Sequence, residues 1–264
     1  MDGRSKREAG YAMAAGPDTL LKLDTAAGSA VILCDRARLP QATLALLDPH
    51  TPELQGSPVS VGGRGAAWFV HTAAGAAVLR HYRRGGMAAR VSRERYLWLG
   101  AERSRGFHEF RLLRALRERD LPVPAPLVAA YWRDGLTYRA ALLIERIAGA
   151  RSLGDRLDAG EIPPWAAIGR TLARFHQQGA FHADLNVDNV LMDAQDKIWL
   201  IDFDRGALRK PARRWQRANL VRLQRSLRKR VGAAAGRAPI SDGWREMLNA
   251  YDASMKSTPM EPEA

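Results

Sequence analysis

The stretch Phe181 to Gly206, FHADLNVDNVLMDAQDKIWLIDFDRG, constrains this chain more than any other. Two short runs, NVLMD and KIWLID, alternate apolar with polar residues across Ala194-Gln195-Asp196, which predicts a β-hairpin. Oxygen-bearing side chains flank it: Asp184 and Asn189 on the way in, Asp202 and Asp204 on the way out. Upstream, a helix is predicted over about 163–178. It opens on Pro163-Pro164, closes at Gly179 and carries Trp165, Ile168, Leu172 and Phe175 on one face. A helix feeding a tight hairpin is expected to bring Asp184, Asn189 and Asp202 together.

Phosphoryl transfer needs such a set. It asks for a group that orients the attacking hydroxyl, and for metal ions that neutralise phosphate oxygens. Asp184 supplies the carboxylate and Asn189, five positions on, an amide able to ligate Mg²⁺; thirteen residues later Asp202 offers a hard oxygen where a strand opens into a loop. His182-x-Asp184-Leu185-x-x-x-Asn189 matches the catalytic-loop pattern of protein kinases. Asp202-Phe203-Asp204 matches their metal-binding triplet except at its last residue. Asp184 is expected to act as the base on an acceptor hydroxyl. His182 is expected to brace the loop by bonding backbone near Asp202, a structural role rather than a catalytic one.

The same template predicts partners upstream. Gly62-Gly63-Arg64-Gly65 lies in a glycine-punctuated stretch where Gly63 and Gly65 would let backbone N–H groups approach phosphates; a plain glycine-rich turn is the other reading. Arg80, in AAVLRHY, stands where protein kinases carry a phosphate-contacting lysine. Glu109 precedes Leu112, Leu113 and Leu116 by three, four and seven positions, so it falls on the apolar face of a helix predicted over about 105–119. A carboxylate aimed inward requires a cation, which makes Arg80 its expected partner, against the alternative of an exposed glutamate among nearby arginines. Strands are predicted at about 57–72 and 75–82 around a turn at Ala74-Gly75, and a further pair in RDGLTYRAALLIERI. Basic helix Arg213–Arg230 and a last helix over 241–254 complete the pattern. The expected fold is α+β and bilobal: a flexible start (1–16), a β-rich lobe (17–145), an α-rich lobe (146–255) with a cleft between the lobes, and a flexible tail (256–264).

Composition narrows the partners. The net charge of +13 is concentrated: Arg209 to Arg230 holds ten basic and no acidic residues, and Arg80 to Arg119 holds twelve arginines against four glutamates. Such local basic surfaces suit nucleic acid, anionic lipid or a phosphorylated substrate. No helix-turn-helix, zinc-finger or RNP-type motif accompanies them, so no specific nucleic acid is expected. Cys34 is the sole cysteine, which excludes an internal disulfide and fits a reducing compartment. The first twenty residues lack the apolar run of an export signal, and no segment has the roughly 20 apolar residues needed to span a bilayer, so membrane contact is expected to be peripheral.

Together, VGGRGAAWFV, VLRHYRRGG, HADLNVDNVLMD and IDFDRG resemble the 3-deoxy-D-manno-octulosonic acid (Kdo) kinase family, in the lipopolysaccharide kinase branch of the protein-kinase-like fold. The resemblance implies an ATP-dependent kinase acting on the 4-hydroxyl of Kdo in a Kdo-bearing lipid A precursor, at the cytoplasmic face of an inner membrane. It implies Asp184 as base, Asn189 and Asp202 as Mg²⁺ ligands, and Arg80 with Glu109 as the phosphate-holding pair. Another sugar or aminoglycoside kinase of this fold is the alternative. Three departures from protein kinases favour a small-molecule or glycolipid hydroxyl over a protein substrate: Asn186 replaces a lysine, Asp204 replaces a glycine, and no Ala-Pro-Glu motif follows. Asp204 is either a second metal contact or a turn residue. Arg83 and Arg84 are candidates for acceptor phosphates. In the basic helix, Leu220, Leu223 and Leu227 share one face, which serves either an anionic membrane surface or the protein core.

Overall fold

A computed structural model describes residues 12–15, 18–25, 28–59, 67–83, 95–232 and 239–257. The chain divides into two compact units, Met1–Arg114 with Ala125–Arg146, and Ala115–Pro124 with Ile147–Ala264. Residues 115–124 group with the second unit because the Pro122 carbonyl accepts from Leu200 N–H at 3.0 Å and the Asp120 carbonyl from Arg174 at 3.1 Å.

The first unit is a nine-stranded antiparallel sheet. Its strands are β1 (Ala12–Ala15), β2 (Asp18–Thr25), β3 (Gly28–Asp35), β4 (Ser57–Pro58), β5 (Ala67–Thr72), β6 (Gly75–His81), β7 (Tyr96–Leu97), β8 (Pro126–Asp134) and β9 (Thr137–Glu145). The order is β1-β2-β3-β8-β9-β6-β5-β4, with β7 paired to β9. Strand β8 reads PLVAAYWRD and buries its first six residues on both faces, as a central strand does. Ile32, Leu79, Leu127, Val128 and Leu143 fill the core with Cys34, which is fully buried. Helix α1 (Arg105–Arg117) begins hard against this sheet: a Cβ on Gly106 would lie 2.9 Å from the Ala141 carbonyl oxygen, so the helix can sit there only with glycine at that position.

Two expectations change here. Where one strand is expected over 57–72, Ser57–Pro58 and Ala67–Thr72 are two antiparallel strands, with Ser57 opposite Phe69 and Val59 N–H bonded to the Ala67 carbonyl at 3.0 Å. A strand of two residues, both exposed, is too short to show a period of its own, so it merges with its neighbour in the sequence pattern. Ala12–Ala15, expected in a flexible start, pairs with β2 as β1.

The second unit holds β10 (Arg151–Ser152), α2 (Leu153–Asp158), α3 (Trp165–Gln177), β11 (Ala180–Phe181), β12 (Val190–Met192), β13 (Ile198–Leu200), β14 (Ala207–Leu208), α4 (Arg213–Gly232) and α5 (Pro239–Lys256). Ser152 and Asp155 form a reciprocal capping box that starts α2. Gly179 closes α3 at φ +73°. Helices α3 and α5 approach backbone to backbone: a Cβ on Gly169 would lie 2.1 Å from the Met247 carbonyl oxygen. The apolar face of α4 points inward, with Leu223 and Leu227 only 1% and 2% exposed. Its leucine stripe therefore belongs to the core, while the solvent-facing side carries the basic residues together with Val221, 44% exposed. No described helix is long and apolar enough to cross a membrane.

Candidate active site

Between α3 and β12 the chain makes a tight loop whose centre is His182, 2% exposed. The His182 ring accepts at Nδ1 from Asp184 N–H (3.2 Å), so Nε2 carries the proton and donates to the Ile201 carbonyl (2.8 Å). Both bonds require a neutral ring. Burial pushes its pKa below the ordinary histidine range, opposed by the Ile201 carbonyl and the charges of Asp202 and Asp184. One imidazole thus ties the start of the loop to the strand end before Asp202. The loop is tied a second time where Ile201 N–H donates to the Asn189 carbonyl at 3.1 Å.

The loop's polar side chains hold its shape and leave one carboxylate outside. Asn189 Nδ2 donates to the Asp184 carbonyl at 2.9 Å, and Asn186 Nδ2 reaches the same oxygen at 3.1 Å. Asn186 Oδ1 accepts from the N–H groups of Asp188 (2.9 Å) and Asn189 (3.2 Å). Asp184 itself extends outward with its side chain 66% exposed. With its NH₂ engaged, Asn189 retains Oδ1, which accepts no hydrogen bond among the described residues.

Asp202 sits in the left-handed region at φ +61°, uncommon for a residue with a side chain and a form of local strain found at functional sites. What holds it there is the next residue. Phe203 is fully buried, stacked on Phe175 at 5.9 Å and packed on the His182 ring at 4.7 Å. Gly206 N–H then bonds the Phe203 carbonyl at 2.7 Å. The β12–β13 turn is closed by Asp193, which accepts from Gln195 N–H (3.0 Å), Lys197 N–H (3.0 Å) and Trp199 Nε1 (2.9 Å). Burial raises the Asp193 pKa, but these donors outweigh it and the net shift is downward.

Residues absent from the expected set complete this arrangement. Asn219 of α4 donates to the His182 carbonyl at 2.7 Å and accepts from His182 N–H at 3.3 Å. Ser226 accepts from Val187 N–H at 3.2 Å. Arg222 brings its guanidinium to 3.8 Å from the Asp184 carboxylate. The available signal was Gln216 and Asn219 standing at helical spacing on the leucine face, since polar residues on a buried stripe mark partners to be satisfied.

In the first unit the structure brings Arg80 and Glu109 together as an ion pair, with Glu109 1% exposed. Tyr82, also unanticipated, donates its hydroxyl to the same carboxylate at 2.6 Å and lies 5.0 Å beneath the Arg80 guanidinium. Burial, then the Glu109 charge, drives the Tyr82 pKa well above its usual value, so the phenol stays protonated. Arg83 is exposed. Gly63, Gly65 and Arg84 lie outside the described residues.

The donor chemistry fits Mg²⁺, a hard ion that takes one or two protein oxygens and completes its shell with phosphate and water. Asn189 Oδ1 and the Asp202 carboxylate are such oxygens, and no cluster of three His, Cys, Asp or Glu suited to a metal occurs among the described residues.

Comparison with known proteins shows the family. The 3-deoxy-D-manno-octulosonic acid kinase of Stenotrophomonas maltophilia strain K279a is 52% identical over 226 residues, covering 85% of this chain and 90% of that protein. The protein of the same name from strain R551-3 is 56% identical over 206 residues, 78% of this chain and 83% of its own. That from Xanthomonas campestris pv. campestris strain B100 is 54% identical over 226 residues, again 85% and 90%. Among solved structures, the bifunctional kinase-methyltransferase WbdD covers 83% of this chain and 48% of its own at 20% identity and a TM-score of 0.41, a likeness too weak to bear on fold or activity. The model of the lipopolysaccharide kinase (Kdo/WaaP) family matches residues 50–251, and the chain belongs to that family.

Proposed function

We propose that this protein is an ATP-dependent kinase that transfers a phosphoryl group to the 4-hydroxyl of Kdo on a Kdo-bearing lipid A precursor, in lipopolysaccharide core biosynthesis. The observation that carries the reading is the exposed Asp184 carboxylate on a loop fixed at both ends by His182 and Asn189. Its family and the names of its relatives supply the acceptor.

Asp184 accepts a hydrogen bond from the attacking hydroxyl, aims its oxygen and receives its proton as the new bond forms. Asn189 and Asp202 hold Mg²⁺, which when bound supplies positive charge against the phosphate oxygens. Arg80 contacts the nucleotide phosphates with a guanidinium fork where protein kinases use an ammonium point charge, and Glu109 with Tyr82 fixes its direction. Arg83 and Arg84 are assigned to acceptor phosphates on the strength of their sequence position alone. We place the protein peripherally on the cytoplasmic face of the inner membrane. The lipid-borne acceptor of this reading supports this, since an enzyme that phosphorylates a membrane lipid has to meet it at the membrane surface.

The test is transfer from labelled ATP with Mg²⁺ to a Kdo-bearing lipid A precursor beside one lacking Kdo. Label entering only the first, lost in Asp184→Ala with nucleotide binding retained, is the expected result. Equal labelling of both, or near-normal turnover by the variant, refutes the assignment.

A further inference from the structure

The second unit carries a groove of about 600 Å³ that begins at Asp184 and runs along the outer face of α4. Arg214, Arg217, Arg222, Arg225 and Lys229 line it, all exposed and spaced by three, four, five or so residues, hence on one side of the helix. Among the described residues its only carboxylate is Asp184. From Arg214 to Lys229 is fifteen residues, roughly 22 Å of helix at 1.5 Å per residue.

These cations differ from the others on the same helix. Arg230, on the neighbouring face, bonds Asp158 at 2.8 Å and Asp188 at 3.1 Å and so knits α4 to α2 and the loop. Arg214, Arg217, Arg225 and Lys229 form no ion pair among the described residues. Like charges three and four positions apart destabilise a helix, so an unpaired row of them costs stability unless an anion neutralises it. The row is also anchored to the loop that bears Asp184, through Asn219 on His182 and Ser226 on Val187. Its distance from the reacting group is therefore fixed.

The geometry points to this groove as the acceptor site: α4 binds the oxyanions of the acceptor, phosphate or carboxylate, and so presents its hydroxyl to Asp184. This rests on the functional reading above and adds the residues that select the acceptor. A row some 22 Å long suits a substrate with several anionic groups rather than a single phosphate. A bare membrane surface is the poorer occupant, because helices that settle into lipid present an apolar face and the leucines of α4 are buried.

The test uses the full-length protein and two variants, Arg225→Ser with Lys229→Ser, and Arg214→Ser with Arg217→Ser. Steady-state transfer is measured with the Kdo-bearing lipid A precursor in neutral detergent micelles, and binding to the same micelles is measured without nucleotide. Each pair is expected to raise the acceptor KM about tenfold and weaken micelle binding in parallel, with the ATP KM unchanged and the melting temperature equal or slightly higher as helix-face repulsion is relieved. Repeating the assay with the lipid A phosphates removed, and separately with the Kdo carboxylate esterified, identifies the oxyanion: the variants' penalty disappears in the arm that lacks it. An unchanged acceptor KM and unchanged micelle binding in both variants overturns the inference. So does loss of binding to acceptor-free anionic vesicles with the micellar KM intact, which would give the groove to the membrane. If the wild type transfers to no Kdo acceptor the functional reading falls, while nucleotide-free micelle binding still decides the groove.

Discussion

Replacing Glu109 with alanine removes the acceptor shared by the Arg80 guanidinium and the Tyr82 hydroxyl. Breaking a buried ion pair from one side costs about 3–5 kcal/mol, because the remaining charge loses the opposite charge that compensated its burial. Arg80 is 23% exposed and recovers some hydration, which favours the low end of that range. Tyr82 is 5% exposed and its hydroxyl loses its acceptor, a penalty of about 1–3 kcal/mol when counted alone. The two losses share one carboxylate and do not add fully, so the net is about 3–4 kcal/mol. With a urea m-value of about 2 kcal/mol/M, the unfolding midpoint of the first unit drops by roughly 1.5–2 M. Glu109→Gln keeps an acceptor oxygen and is expected to lose about half as much, with the ATP KM rising in both variants as Arg80 loses its orientation. A midpoint shift below about 0.5 M in Glu109→Ala, together with an unchanged ATP KM, would refute both the energetic and the functional role of the pair.

Acid should weaken the second unit through His176, whose pKa burial lowers to about 4, opposed by the hydrogen bond its ring makes to the Asn219 side chain. The unfolded chain binds that proton at about 6.5, so stability is full above pH 6.5 and falls as pH drops toward 4, by roughly 3 kcal/mol at about 1.4 kcal/mol per pKa unit. Urea midpoints measured from pH 7 to 4 are expected to show a clearly smaller decline in His176→Gln; parallel curves would contradict the assignment. Asn219→Ala leaves the buried N–H and carbonyl of His182 without their partners and is expected to cost about 2–4 kcal/mol while lowering kcat more than it changes either KM. A variant with wild-type kcat would show that α4 does not steady the loop.

Local signals were legible where chemistry and turn lie close in sequence. The hairpin around Ala194-Gln195-Asp196, the glycine end of α3 and the inward Glu109 could all be read from spacing, because helix and strand periods place side chains over a few residues. Strand reversal between Ser57 and Phe69 could not, since β4 is two exposed residues and too short to show a period. The leucines of α4 fitted core and membrane equally well until their burial decided the matter. Asn219 and Ser226 act on residues 37 and 39 positions away, and no local pattern encodes a partner at that range. Tyr82 stayed unnoticed because its role depends on a helix 27 residues further on.

The division of labour on α4 also bears on how such an enzyme could change its diet. Asn219, which braces the phosphoryl-transfer loop, is buried on one side of α4, whereas Arg217, Arg225 and Lys229 meet solvent on another, with Ser226 at the boundary between them. Swapping the outer set would retune which molecules are admitted without touching the inner framework, so a library confined to those outer positions is the economical route to kinases with new acceptors.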